Sequence, residues 1–348
     1  MKKRSLVFPL GFILLTLGLS LLLSVSAQVR RSGSAQTSGS EYRISGPYVY
    51  KNLSVFLIHG RDKITGKKFL TLQEALVQRK VIVYETKEVN TLAIRNVSSE
   101  EVYVQSGEIV KGGQQDRMLG VDLIVPPHSR KIPIAAFCVE SGRWTRRGGE
   151  AAGVFSSSVD AAVTRDIKLA AKVANSQGDV WRNVAVAQDK LSATVGTRVN
   201  SAESESSLQL AVENRRVQET ADNYVKELSR IVYTKNNVIG YAFAINGKLN
   251  SADVYASGTL FKKLWPKLLK ASAIEAMAEL QKNQKYEPPT TGQVQTFFSD
   301  SEAAAPSEKA LTPRVKLVTR EDKENVFFET RDAAGKDDWV HRNYIKKN

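Results

Sequence analysis

Six charged residues stand beside two glycine-bearing turns in this chain. Glu108, Lys111, Asp116 and Arg117 surround Gly112-Gly113 in the run Gly107 to Arg117. Glu140 and Arg143 flank Gly142 in the run Phe137 to Trp144. Adjacent glycines reach backbone angles that side chains disfavour, so the N–H groups of Gly112, Gly113 and Gln115 could converge into a nest for an anion. Arg117 could then hold a carboxylate or phosphate through two parallel hydrogen bonds, with Lys111 adding charge. Arg143 is a second such fork, and Trp144 beside it could stack on a ring or sugar. Glu108 and Glu140 are the candidate acid and base. The competing reading is structural: the charges around Gly112-Gly113 pair internally, and Glu140 balances Arg143.

Other chemistries find less support. No Gly-Lys-Ser/Thr follows the glycines, so this is no nucleotidase phosphate loop, and the three-glycine dinucleotide fingerprint is absent. Cys138 is the only cysteine, so no intramolecular disulfide forms. It lies in an apolar run, where a thiol usually acts as a small hydrophobe. No spacing ties it to His59, His128 or His341 as a catalytic pair or a zinc site. The expectation is therefore no metal, and nothing in the residues specifies a cofactor.

The elements that must position these residues are mixed. The runs 53–58, 81–84, 91–94, 102–104, 109–110, 121–125 and 132–139 read as strands. Thr71 and Glu74 form a capping box that opens a short helix ending by Lys80. Residues 47–140 thus form an antiparallel β-rich half, sandwich-like or rolled. The middle turns helical: 159–175, 179–193, and the clearest segment, 207–232. Its Val217, Ala221, Tyr224, Val225, Leu228, Ile231 and Val232 share one face. Val238 to Ile245, the turn Asn246-Gly247 and Ala252 to Tyr255 form a hairpin. A last helix spans 259–282, and Pro266 should break or kink it. Residues 286–312, rich in Pro, Thr, Ser and Ala, read as a surface loop. The runs 315–318, 326–330 and 339–341 read as strands returning to the main sheet. The fold class is α+β, with a C-terminal hairpin–helix–strand part closing one domain over 47–345.

The N-terminus carries Lys2, Lys3 and Arg4, then an apolar run from Leu6 to Val25, then Val25-Ser26-Ala27. This is the pattern of a secretory signal peptide cleaved after Ala27. The alternative is an uncleaved anchor over 6–25, since about 20 apolar residues span a bilayer. Residues 28–46 read as a flexible tether. The protein is expected to be exported, periplasmic or secreted, meeting the membrane only through an uncleaved N-terminal segment. Net charge is +14, and removing residues 1–27, which hold three cations and no acid, leaves +11. Such a protein could meet anionic lipid, cell-wall polymer or nucleic acid. Its cations are dispersed among acids, so nucleic acid is not expected. The basic face Lys262, Lys263, Lys267 and Lys270 is the place for an envelope surface.

The phrase SGEIVKGGQQDRML followed by VPPHSRKIPIAAFCVESGRW resembles the domain named for its association with ADP-ribosylglycohydrolases and rhodanese-phosphatases. The matching positions are Gly107, Glu108, Gly112, Gly113, Gln115, Arg117, Cys138, Val139, Glu140, Gly142, Arg143 and Trp144. The later run from Asn246 to Ala276 is similar to that family's hairpin and helix. The resemblance covers about residues 47–345. It implies one domain of uncharacterised activity, whose link to ADP-ribose is one of association.

Three functions are therefore in play. The leading one is a non-catalytic binding or scaffold domain whose 107–117 and 138–144 segments accept an anionic small molecule or envelope component. The second is a hydrolase of a sugar- or phosphate-containing ligand using Glu108 and Glu140. It needs both carboxylates facing one open cleft, whereas a scaffold buries them in ion pairs. The third is a binder of anionic envelope surfaces.

Overall fold

The computed structural model describes residues 41–348 except 65, 152, 159–163, 282 and 335–337. The segments expected to be a signal peptide, 1–27, and most of the tether, 28–40, lie outside the described residues. The tether was expected to reach residue 46, yet structure starts sooner. The first strand, β1 (Arg43–Tyr50), pairs antiparallel with β2 (Leu53–His59). Then follow β3 (Leu70–Thr71), α1 (Leu72–Val77), β4 (Val81–Glu88), β5 (Thr91–Asn96), β6 (Val102–Val104) and β7 (Ile109–Gly112). Next come β8 (Arg117–Leu119), β9 (Leu123–Val125), β10 (Ile132–Cys138) and β11 (Phe155–Ser157).

The helical middle holds α2 (Arg165–Lys172), α3 (Gln177–Val195), α4 (Leu208–Val212) and α5 (Arg215–Leu228), with a 3-10 turn at Ser229–Val232. The expected single helix over 207–232 is thus interrupted. Asn214 leaves helical geometry and accepts from the Arg216 N–H, which caps a new helix. The start of the helix expected over 159–175 lies outside the described residues.

The C-terminal part comprises β12 (Val238–Ile245), β13 (Lys248–Tyr255), α6 (Gly258–Ala278), α7 (Thr291–Ala303), β14 (Pro306–Ala310), β15 (Val315–Glu321), β16 (Asn325–Asp332) and β17 (Asp338–Lys346). Two expectations are corrected here. The 286–312 segment is no loop: Thr290 and Gln293 form a capping box that starts α7, and Val294, Phe297 and Phe298 bury its inner face. Pro266 does not break α6. It lies on the exposed side of the helix, while Leu264, Trp265, Leu268 and Leu269 pack beneath.

Three sheets result. An eight-stranded sheet has the order β1-β2-β12-β13-β17-β16-β15-β14, all antiparallel. A six-stranded sheet has the order β11-β7-β8-β10-β5-β4, and a small one the order β3-β6-β9, with β3 and β6 parallel. The C-terminal strands thus join the main sheet, as their β-rich runs suggested. Its centre is buried on both faces, so β2 and β12 are apolar almost throughout. On one face Tyr241 and Phe243 meet Phe261 and Trp265 of α6. On the other, Phe298 of α7 stacks on Tyr344 at 4.4 Å, among Phe56, Ile58 and Phe327.

Candidate functional site

The six-stranded sheet brings the two sequence motifs together. β7 and β8 form a hairpin that places Val110 opposite Arg117, and β10 lies on the other side of β8 with Cys138 opposite Arg117. Beyond β7, Phe155 of β11 faces Gly112. The 107–117 and 138–144 segments therefore converge through strand pairing, with Arg117 at the centre.

The glycine turn adopts the expected left-handed geometry, with φ of +122° at Gly112 and +58° at Gly113. Its N–H groups are occupied by the protein itself. Gly112 donates to Asp116 Oδ1 at 3.1 Å, Gly113 to the Ala151 carbonyl at 3.2 Å, and Gln114 to Glu85 Oε2 at 3.2 Å. The anions in this nest are thus the side chains of Asp116 and Glu85.

Asp116, Arg117 and Glu140 are fully buried. Asp116 takes both Arg147 nitrogens, at 2.9 and 3.1 Å, and the Ser207 hydroxyl at 3.0 Å. Burial raises its pKa, with the Arg147 bonds pulling the other way. Glu140 takes Arg143 Nε and Nη2, both at 2.6 Å, and the Asp116 N–H at 3.0 Å. Burial opposes its charge, but these bonds prevail and its pKa is lowered. Arg147 also reaches Glu150 at 2.8 Å.

Arg117 donates to Gln115 Oε1 at 3.2 Å and to Cys138 Sγ at 2.8 Å, and Glu85 lies 3.7 Å from its Nη2. Its guanidinium sits 5.4 Å from the ring centre of Trp144, which is 43% exposed. Cys138 is buried, and its thiol is pushed up to about 11 by burial, against the pull of Arg117. At neutral pH it is a protonated hydrophobe and no nucleophile.

Glu108 stands apart. It precedes β7 while Gly112 ends it, a separation of roughly 13 Å along the strand. It accepts from the Gln105 N–H at 3.0 Å and from Lys267 at 2.8 Å, lining a space of about 30 Å³ with Lys168 and Leu264. Glu140 does not line that space. Lys111 is held by Glu213 at 2.7 Å. Much of the basic face on α6 is also engaged: Lys263 with Glu74, Lys267 with Glu108, and Lys270 with Gln218 and Asp222. Of the candidate ligand residues, Trp144 alone presents a large open surface.

Sequence reading missed Glu85, Arg147, Glu150 and Ser207. Arg147 carried only a faint signal, as an arginine close in sequence to Arg143 and Arg146. Glu85 carried none, because its role depends on a contact 29 positions away. Asn52-Leu53-Ser54 and Asn96-Val97-Ser98 match the glycosylation pattern, but both asparagines are buried. Among the described residues no three His, Cys, Asp or Glu side chains gather as a metal ion requires, and no helix is long and apolar enough to cross a membrane.

No curated protein and no solved structure matches the chain. A family model does, and it spans the fold just described: residues 41–345 match the ARG and Rhodanese-Phosphatase-superfamily-associated Protein domain. The chain belongs to this family, ARPP-1, over nearly its whole length.

Proposed function

We propose that this protein is an exported, non-catalytic binding domain that takes a ring-bearing anionic small molecule on the open face of Trp144. The observation that carries the reading is the placement of that ring, 43% exposed and backed by the buried Arg117 guanidinium. An indole fixed from behind offers its outer face for stacking at little entropic cost. Arg146, exposed two residues on, supplies charge for the anionic group. The non-catalytic part rests on the candidate acid–base groups: Glu140 is buried between Arg143 and Arg147, and Glu108 is paired with Lys267. Neither is a free carboxylate in an open cleft.

Intrinsic tryptophan fluorescence of the full chain, titrated with ADP-ribose, nucleotides and sugar phosphates, tests the reading. A saturable quench that Trp144→Ala abolishes, with unliganded melting unchanged, is the expected result. Absence of any saturable change across the panel, or one that survives in Trp144→Ala, refutes it.

A further inference from the structure

A sizeable cavity lies away from the family motifs. It measures about 430 Å³ and is walled by the starts of α2 and α3's Asn183 and Lys190, the β12–β13 turn, and the C-terminal turns of α6. This falls within the roughly 300–1,000 Å³ of small-molecule sites.

Glu275 and Tyr286 stand on its wall. Glu275 is buried, and its Oε1 accepts from Asn250 Nδ2 at 2.8 Å and from the Arg165 N–H at 3.0 Å. Tyr286, on the same wall, has a buried hydroxyl with no hydrogen-bond partner among the described residues. A buried hydroxyl left unpaired costs free energy that a ligand would return. Burial raises the pKa of the Glu275 carboxyl, opposed first by Lys168.

The remaining walls indicate the ligand class. The cavity's charges are largely matched within it: Lys190 to Glu279 at 2.5 Å and Arg165 to Asp166 at 3.2 Å. Lys248 and Glu275 add one group of each sign to the wall. Asn183, Asn250, Gln281 and Gln284 add amides that both give and take hydrogen bonds. Matched charge, abundant amides and an unpaired buried hydroxyl suit a neutral molecule dense in hydroxyls.

We infer that this cavity is a second binding site, for a neutral mono- or disaccharide, with Tyr286 and Glu275 bonding its hydroxyls. The inference does not depend on Trp144.

Calorimetric titration of the full-length protein with glucose, N-acetylglucosamine, cellobiose and chitobiose tests it. At least one sugar should give saturable heat. Tyr286→Phe should weaken that sugar at least tenfold without lowering the melting temperature, because the hydroxyl it removes has no protein partner. Glu275→Gln should weaken it similarly, and Trp144→Ala should leave it unchanged. If Glu275→Gln fails to fold, Tyr286→Phe decides alone. No saturable heat from any of these sugars at millimolar concentration, or wild-type affinity in Tyr286→Phe, overturns the assignment.

Discussion

Asp116 and Arg147 are joined by two hydrogen bonds of 2.9 and 3.1 Å, and both side chains are shut off from solvent. The pair ties the β7–β8 turn to the 141–153 segment, and Ser207 joins α4 to the same carboxylate. Removing one partner of such a pair strands the other charge in the interior. Arg147→Met is therefore expected to cost about 3–5 kcal/mol of stability. The double variant Asp116→Asn, Arg147→Met should recover part of that loss. Urea denaturation of both measures it, and equal midpoints for Arg147→Met and wild type would sink the claim.

The glycine turn makes a sharper steric prediction. A Cβ on Gly113 would lie 2.4 Å from Phe155 Cζ and 2.8 Å from Glu85 Oε2, at a φ of +58°. Gly142 also has positive φ, +79°, but a Cβ there meets nothing within 4 Å. Gly142→Ala should cost only the backbone strain, about 1–2 kcal/mol. Gly113→Ala should cost that plus overpacking of about 1–3 kcal/mol. Thermal melting of the two variants should rank them in that order.

His341 is sandwiched between two carboxylates, with Nδ1 2.7 Å from Asp122 and Nε2 3.0 Å from Asp253. Burial opposes its charge, but the aspartates dominate and raise its pKa to about 9. A raised folded pKa means a contribution present in full below the unfolded value of about 6.5 and lost as pH rises toward 9. Lys172 works in the other sense. Burial lowers it to about 8, against the pull of Asp122 and Asp253, so stability returns above pH 8. Stability should thus fall by about 2 kcal/mol between pH 6.5 and 8 and then level off. Chemical denaturation across that range measures it, and His341→Gln should remove the fall.

Cys138 should resist thiol reagents in the folded protein, because it is buried and its thiol is raised to about 11. Labelling with iodoacetamide should follow unfolding by urea. Rapid labelling of the native chain at pH 7.5 would contradict the packing described here.

Local signals were the legible ones. The capping box of Thr71 and Glu74 is read from four residues and is present in both its hydrogen bonds. Asn246-Gly247 turns the β12–β13 hairpin at φ of +53° and +76°. Val217, Ala221, Tyr224 and Leu228 bury the face that their spacing marks. What escaped depends on distant partners. β14 is Pro-Ser-Glu-Lys-Ala, exposed throughout, and is a strand only because β15 offers it a ladder. The capping box of α7 was present in Thr290 and Gln293 but hidden by a composition that mimics a loop. In the candidate site the convergence of the two motifs was legible as matched polarity. The identity of the nest's anions was not, since Glu85 and Asp116 do the work expected of a ligand.

The place of β17 in the large sheet governs when the fold can close. It is the last strand in sequence yet lies between β13 and β16. Until it is made, β1-β2-β12-β13 and β16-β15-β14 are separate ribbons, each with a raw inner edge. His341 rides on that strand and bonds Asp122 and Asp253, so the buried charge cluster is also assembled last. Until β17 is inserted the sheet stays open to mispairing, and that strand is the one that excludes competitors.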